Sequence, residues 1–261
     1  MIDLQNSRDH RKIAIDRVGI KGIKYPITVL DRANKQQTTT ATIDMFVDLP
    51  HEARGTHMSR FIEMLHVFRN EVSLKTFSLI LEEMKKQLNA RSAHIEVRFP
   101  YFIEKKAPVS GSAGLMCYNC GFIAKTLENG TSEVLMEIKV PITSLCPCSK
   151  EISDHGAHNQ RGEVMLVTRF KTFIWMEEMI SLVESAASCE VYSILKRSDE
   201  KHVTEKAFAN PKFVEDIVRD IALALDQDDN ITWFRVSVEN FESIHNHSAY
   251  ADIRRDKSSP K

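Results

Sequence analysis

The chain has few cysteines and no long apolar segment. Its 261 residues include only five cysteines, an odd number scattered along the sequence, which argues against the disulfide framework of a small secreted protein. No apolar run reaches the length of about 18 residues that a membrane helix needs, and the charged N-terminus lacks the apolar core of a signal peptide. We therefore expect a cytoplasmic protein that does not enter a membrane.

An excess of charge of either sign is also missing. The formal net charge is −1 at pH 7, so nothing global points to nucleic acid or to an acidic membrane surface as a partner. The composition, 43% hydrophobic and 27% charged, is ordinary for a globular protein, and the length suits one large domain or two small ones. The function therefore has to be sought in local motifs.

The first half of the chain changes between strand and helix patterns. Strands are predicted at 23–30 and 40–47, with a hairpin loop over 31–37 between them. Two amphipathic helices are predicted next, and strands at 94–102 and 115–127 follow. The apolar faces of the two helices are expected to consist of Phe61, Ile62, Leu65 and Phe68, and of Phe77, Ile80, Leu81, Met84 and Leu88.

The second half repeats this order of elements. It begins after Glu128-Asn129-Gly130, which is a hairpin signal. A helix is predicted over 176–189, and another begins at Asn210-Pro211, where asparagine suits the N-cap and proline the first helical position. The apolar face of that helix is expected to consist of Phe213, Val214, Ile217, Ile221, Ala224 and Leu225. The strands of this half are predicted at 132–143, 163–170, 231–238 and 249–254.

Reactive side chains concentrate in one connection between two of these strands, residues 140–162. Two thiols, Cys146 and Cys148, and two imidazoles, His155 and His158, fall within thirteen residues. Cys-Pro-Cys is too tight for a structural zinc knuckle, which usually also has a second pair of ligands. A catalytic metal site needs three ligands and an open position, and one of these thiols with His158 would supply two. We expect at least one thiol of the pair to pack in the core as a small hydrophobe.

Two further clusters offer candidate metal ligands. Cys117 and Cys120 have ligand spacing, but they fall in a predicted strand that points them to opposite faces, which favours simple packing. Glu200 and His202 lie in what we interpret as a polar connection before a helix, where a ligand role is sterically easy. Most of the charges in that connection are expected to belong to a solvated surface.

Two candidates follow from position along the later elements. Glu215 falls at the edge of the apolar face of a predicted helix, so it either reaches solvent at the boundary or points into a pocket. His245 and His247 follow a predicted strand, and we expect them to point in opposite directions. At most one of them would then share a site with the cysteine loop.

Cations near predicted turns are candidate phosphate ligands. Lys105 and Lys106 precede a glycine-containing loop, where paired lysines are usually solvated but also suit phosphate, because lysine is a compact cation. Arg60 and His57 could serve in the same way.

Long motifs in this chain resemble the type IB GTP cyclohydrolases. They cover about residues 10–251 and read CPCSKEIS, GAHNQR, EKHVTEKAF, NPKFVEDIVRD and ENFESIHNHSAYA, with VGIK, GTHMSRF and KKAPVSG nearer the N-terminus. The resemblance implies an α+β tunnelling fold of two ββααββ units in tandem, each an antiparallel sheet with two helices on one face. The units would span 1–130 and 131–255, with a disordered tail at 256–261, and would assemble into the barrels of a homotetramer.

The implied reaction converts GTP and water to 7,8-dihydroneopterin triphosphate and formate, the first step of folate biosynthesis. One divalent metal (zinc, manganese or iron) would be bound by Cys146, His158 and Glu200, with Cys148 as the alternative thiol. His155 departs from the motif, since an aromatic residue is common before Gly156, and it would be an additional donor.

The resemblance also assigns residues to the substrate. Glu215 would anchor the guanine through its N1 and exocyclic amine hydrogens, because an ionised carboxylate only accepts hydrogen bonds. His245 would transfer protons or join the metal. With sites at subunit interfaces, Lys105, His57 or Arg60 would complete the site of a neighbouring subunit.

Three other functions compete with this hypothesis. The first is a nitrile reductase of the same fold, with a cysteine nucleophile and a nicotinamide donor, although its signature motif is absent and histidines are dense here. The second is a non-enzymatic module in which Cys146, His158 and Glu200 hold a structural zinc, and it predicts unfolding on chelation. The third is a nucleotide-binding regulator without turnover.

Overall fold

The computed structural model describes residues 5, 7–65, 74–127 and 129–257, except for the side chains of residues 74 and 75. These residues form a mixed α/β fold with a large antiparallel sheet and few helices. The strands are β1 Ile15–Asp31, β2 Lys35–Leu49, β3 Ala93–Lys106, β4 Ala113–Thr126, β5 Ser132–Leu145, β6 Asn159–Phe170, β7 Cys189–Glu190, β8 Ile231–Asn240 and β9 Ala249–Asp256. The helices are α1 Met58–Met64, α2 Leu74–Leu88, α3 Pro147–Ile152, α4 Met176–Ala186, α5 Arg197–Ala209 and α6 Val214–Gln227.

The strands are hydrogen-bonded in the order β1-β2-β3-β4-β5-β6-β8-β9, and β7 pairs with β5. The chain forms two compact units, the first made of Met1–Pro100 and Gly121–Met136 and the second of Tyr101–Cys120 and Glu137–Lys261. Among the described residues, no helix is both long and apolar enough to cross a membrane.

The first hairpin is confirmed, with longer strands and a tighter turn than predicted. The carboxylate of Asp31 accepts hydrogen bonds from the backbone N–H groups of Ala33 and Asn34 at 2.9 and 2.8 Å, which closes the turn directly after β1. Before residue 23, β1 is largely exposed and its register with β2 shifts twice, so its sequence lacks the alternation that marks a half-buried strand.

Most positions of the two predicted helix faces are buried in the core of the first unit. Phe61 and Leu65, at α1, and four positions of α2 are fully shielded from solvent, and Leu88 is 9% exposed. The ring of Phe77 lies 5.3 Å from the ring of Phe122 on β4. Ile62 is 46% exposed, so it belongs to the outer side of α1 instead. Phe68 lies outside the described residues.

In the second unit, α6 packs against β8 and β9. Its buried side chains are Val214, Ile217, Val218, Ile221, Ala222 and Leu225. Four of the six predicted positions are confirmed. Phe213 precedes the helix and is 40% exposed, Ala224 is only partly buried, and Val218 and Ala222 are buried although they were not predicted.

Two predicted helix bounds in the second unit are wrong. Helix α4 ends at Ala186, and Cys189 lies in the short strand β7. Helix α6 begins at Val214 rather than at Asn210-Pro211. Asn210 ends α5 instead, where its side-chain amide donates to the carbonyl of Ala187 at 3.0 Å.

One buried carboxylate fastens the β3–β4 turn to the first turn of α5. Asp199 is fully buried and accepts hydrogen bonds at 2.8 Å from the backbone N–H groups of Val109, Ser110 and Lys196. The hydroxyl of Ser110 adds a fourth at 2.6 Å. The start of α5, and with it the adjacent Glu200, is therefore fixed in space by a turn 89 residues earlier.

Candidate functional site

The cysteine loop contains a short helix, α3, that the sequence analysis did not predict. Cys146 is its N-cap and Pro147 occupies the first helical position. The backbone N–H of Ser149 donates to the sulfur of Cys146 at 3.4 Å. The expectation that one thiol of the pair packs in the core is wrong: Cys146 is half-buried and Cys148 is exposed, because α3 buries none of its residues.

Backbone hydrogen bonds close this loop on itself and bring Cys146 next to His158. The N–H of Cys146 donates to the carbonyl of His158 at 3.1 Å. The hydroxyl of Ser149 donates to the carbonyl of Cys146 at 3.1 Å and accepts from the N–H of His158 at 3.2 Å. Two candidate ligands twelve positions apart in sequence are thus held close together by hydrogen bonds within one loop.

The ring of His158 is oriented through one of its two nitrogens. Its Nδ1 lies 3.1 Å from Oε1 of Gln160 and 3.2 Å from Oγ of Ser243. These contacts engage Nδ1 and leave Nε2 as the nitrogen that could bind a metal. In metal sites a ligating histidine is oriented in this way by a partner at its other nitrogen. Because Ser243 reaches His158, the segment 241–248 lies beside the cysteine loop.

His245 and His247 do not point in opposite directions. Their rings stack with centroids 5.1 Å apart and planes 16° from parallel, and both side chains are exposed. The prediction was wrong for two reasons. Residues two apart in a strand share a face, and this segment is a series of bends rather than a strand. His245 follows Ser243 by two residues and is therefore close in sequence to the contact with His158.

Glu200 lies within α5, not in a connection before a helix as predicted. Val203 and Ala207, on the same side of α5, pack in a small cluster that also includes Leu145 and Ala157. Residues three and seven positions apart lie on one helix face, so Glu200 continues this side by one turn. The side chain of Glu200 is exposed. The cluster formed with Val203 and Ala207 includes Ala157, the residue that precedes His158.

The described residues do not themselves assemble a metal site. In the part of the chain that the structure describes, no group of three or more His, Cys, Asp or Glu side chains lies close enough together to hold a metal ion. The donor types nevertheless fit one, since Cys146 and His158 lie on backbone segments joined by a hydrogen bond and Glu200 lies on α5.

Glu215 occupies the first turn of α6 and is exposed, between the buried Val214 and Ile217. The adjacent Asp216 accepts the backbone N–H of Phe213 at 3.0 Å and so caps the helix. Glu215 is not used by this cap, and its carboxylate reaches the surface at the boundary of the apolar face.

Lys105 is engaged within the chain. Its ammonium donates to Glu184 at 2.7 Å and to the carbonyl of Val191 at 3.1 Å, and it lies 4.4 Å from the centre of the Tyr192 ring. The hydroxyl of Tyr118 also donates to Glu184, at 2.8 Å. Burial and the nearby acids raise the pKa of Tyr192 to about 12, so its phenol stays protonated at neutral pH.

Arg60 and His57 belong to the first unit. His57 is the N-cap residue of α1, and Arg60, in the first turn, donates to the carbonyl of Gln87 at 2.6 Å. The side chain of Arg60 is exposed.

The remaining cysteines are poor metal ligands. Cys117 is exposed and Cys120 buried, as the alternation of a strand predicted. Burial raises the pKa of Cys120 well above its usual range. Burial and the neighbouring Glu190 raise the pKa of Cys189 to about 11. Buried thiols of this kind are inert, which makes Cys120 and Cys189 poor candidates for metal ligands.

A family model described as type I GTP cyclohydrolase folE2 matches residues 1–251 of this chain. The chain belongs to the FolE2 family of GTP cyclohydrolases. The GTP cyclohydrolase FolE2 of Desulfosudis oleivorans is 64% identical over 260 residues, with all of both chains covered. That of Syntrophus aciditrophicus is 57% identical over 256 residues, covering 98% of this chain and all of the relative. Enzymes of the FolE2 family catalyse the conversion of GTP to dihydroneopterin triphosphate in folate biosynthesis.

Solved structures show the fold of this FolE2 chain. Uricase from Arthrobacter globiformis superposes with a TM-score of 0.53 at 8% identity, covering 94% of this chain and 96% of that one. Urate oxidase from Bacillus subtilis gives a TM-score of 0.55 at 7% identity, covering 93% and 99%. Urate oxidases have the tunnelling fold, so the likeness supports that fold and, at such low identity, nothing about chemistry.

Three residues of the candidate site were not predicted from the sequence: Ser149, Gln160 and Ser243. They hold Cys146 and His158 in place without being candidate ligands. For Ser149 a signal was present, because proline at position 147 suits the first position of a helix whose first turn would contain Ser149. Gln160 and Ser243 gave none, since their contacts depend on the packing of distant segments.

Proposed function

We propose that this chain converts GTP and water to 7,8-dihydroneopterin triphosphate and formate at a site built on the 146–158 loop. The proposal rests on the pairing of Cys146 with His158 through Ser149, in a chain that matches the FolE2 family over nearly its full length. A half-exposed thiol beside an oriented imidazole suits a site that must admit substrate.

In this proposal Cys146, His158 and Glu200 hold one divalent metal. A metal bound there would lower the pKa of a bound water from about 15.7 toward about 7 and make hydroxide available at neutral pH. Thiolate, imidazole and carboxylate together suit zinc, and manganese and iron accept the same donors. To join the metal, Glu200 has to turn its exposed side chain toward the loop. It lies on the same side of α5 as Val203, which packs in the cluster that includes Ala157 of the loop.

The other proposed roles belong to side chains of the protein itself. The N–H of Ser149 positions the sulfur of Cys146, and Gln160 and Ser243 position the ring of His158. The carboxylate of Glu215 accepts two hydrogen bonds from the donor edge of guanine. His245 moves protons near the purine. His155, exposed beside Gly156, is an alternative donor.

We further propose that the chain acts as a cytoplasmic homotetramer with its sites at subunit interfaces. The observed order β1-β2-α1-α2-β3-β4 supports a ββααββ unit, and the later elements follow this order with α3, β7 and α5 added. Assembly into barrels would let Arg60 and His57 reach the triphosphate of a neighbouring subunit. Lys105 is the third such cation, and its ammonium would have to leave Glu184 to reach a phosphate.

The test replaces the two thiols separately. We expect Cys146→Ala to lose its metal and its formate release from GTP while retaining the circular dichroism spectrum of the wild type. Cys148→Ala is the matched control and should keep both metal and turnover. Near-normal formate release by Cys146→Ala would remove this residue from the metal. Loss of the fold on chelation would instead favour a structural zinc.

A further inference from the structure

The first unit contains a cavity of about 120 Å³ where β1 and β3 begin and β2 and β4 end. Its lining comes from β1, β2 and β4 and from the start of β3. A cavity of about 150 Å³ accepts a molecule as large as benzene, so this one has room for a small ligand. None of the residues proposed for the GTP reaction lines it.

Two buried polar atoms at this cavity lack hydrogen-bond partners among the described residues. They are Nδ1 of His94 and Oγ1 of Thr126. His94 is 9% exposed, and its ring lies 6.0 Å from that of Phe46. Buried side-chain polar atoms are nearly always paired, and leaving them unpaired is costly. The cavity therefore lacks the group that these two atoms would bind.

The other nitrogen of His94 determines what that group must be. Nε2 lies 2.7 Å from Oε1 of Glu96, whose other oxygen lies 2.6 Å from Arg98. An ionised carboxylate only accepts hydrogen bonds, so Nε2 carries the proton. Burial lowers the pKa of His94, and the nearby Arg17 and Lys125 lower it further against the opposing effect of Glu96. The ring is therefore neutral, and Nδ1 is an acceptor that needs a donor.

Two cations at the cavity can donate to the same ligand. The guanidinium of Arg17 is exposed and has no ion pair within the described part of the chain. The ammonium of Lys125 lies 3.1 Å from Glu133, and this single contact leaves other N–H donors on the same nitrogen. Asp16 is the only acid in the described lining, so the charge of the lining favours an anion.

We propose that this cavity binds a small oxyanion that carries a hydroxyl, of the chemical class of hydrogen phosphate. The hydroxyl of the ligand donates to Nδ1 of His94. Its other oxygens accept from the hydroxyl of Thr126 and from Arg17 and Lys125. Free inorganic phosphate keeps a hydroxyl at neutral pH, whereas the terminal phosphate of a monoester, with a second pKa of about 6, keeps one only below that pH.

Calorimetric titration of the full chain with inorganic phosphate and with sulfate tests this site. At neutral pH sulfate has the same shape but no hydroxyl, so we expect it to bind at least about tenfold more weakly than phosphate. Thr126→Val keeps the side-chain shape and removes one donor, and Arg17→Gln removes one cation from an exposed position. Each should weaken phosphate binding about tenfold.

Lys21→Gln is the matched control, since it removes an exposed cation from the same strand away from the cavity. It should leave phosphate affinity within about twofold. Titration with phosphate and with methyl phosphate at about pH 5.5, where both carry a hydroxyl, identifies the source: equal affinity indicates the end of a monoester, and weaker affinity for methyl phosphate indicates free phosphate.

Phosphate binding that is unchanged in Thr126→Val and Arg17→Gln would overturn the proposal. Equal affinities for phosphate and sulfate would do the same. Either result means that water fills the cavity and satisfies His94 and Thr126, and that any phosphate binds elsewhere. Arg17→Gln decides the matter even if Thr126→Val folds poorly, because its side chain is exposed.

Discussion

Replacing Lys105 by methionine should destabilise the folded chain. The side chains of Lys105 and Glu184 are 16% and 11% exposed, so this ion pair is neither fully exposed at the surface nor fully buried. Exposed pairs contribute about 0–1 kcal/mol, whereas breaking a buried pair costs about 3–5 kcal/mol, because one charge stays buried without its partner. With some solvent still reaching the pair, we expect Lys105→Met to lower the free energy of unfolding by about 2–3 kcal/mol.

Urea unfolding and thermal unfolding both measure this loss. A change of 2–3 kcal/mol corresponds to a fall in Tm of about 4–12 °C for a chain of this size. Methionine retains the packing over Tyr192, so the effect reports on the charge. Lys106→Met is the matched control, since its side chain is exposed at the next position and should change stability by less than about 0.5 kcal/mol.

A double-mutant cycle with Glu184→Gln separates the pair from its surroundings. The double variant should be more stable than the sum of the single losses predicts, because it leaves no unpaired charge. If Lys105→Met unfolds like the wild type while its KM for GTP rises severalfold, the ion pair with Glu184 does not stabilise the fold. In that case the ammonium leaves Glu184 for the substrate, and the phosphate role taken from the sequence is the correct one.

Two further predictions concern the core and the turn held by Asp199. Phe61→Ala should cost about 3–5 kcal/mol in urea unfolding, whereas Ile62→Ala, at an exposed neighbour, should cost much less; similar losses would contradict the described orientation of α1. Burial opposes ionisation of Asp199, but hydrogen bonds from Ser110 and three backbone N–H groups hold its pKa well below the usual range. Its stabilisation is therefore present above the ordinary carboxyl pKa of about 4 and lost as pH falls below it. Asp199→Asn should show a smaller loss of stability than the wild type between pH 7 and pH 3, and equal losses would argue against this role.

The elements that the sequence predicted well are those with a strong local pattern. The first hairpin was predictable because Asp31 begins a run of turn residues between two alternating segments. The face of α2 was predictable because Phe77, Ile80, Leu81 and Met84 repeat at helical spacing, and all four are fully buried.

The elements that were missed have patterns that local rules misread. Helix α5 shows almost no apolar side, since its only buried residues are Asp199 and Ala207. Asn210-Pro211 has the composition of a helix start, yet Asn210 ends α5 because its amide is used by the carbonyl of Ala187. At the candidate site, Cys146 and His158 could be identified by type, whereas the frame formed by Ser149 and Ser243 depends on contacts between segments far apart in the sequence.

The β3–β4 turn looks like a convenient place for an epitope tag or a fluorescent insertion, because residues 108–111 are exposed. The bonds from Val109 and Ser110 to Asp199 make it a poor choice. An insertion there would loosen the first turn of α5 and shift Glu200, so a label on an ordinary surface loop would disturb the metal site that we propose.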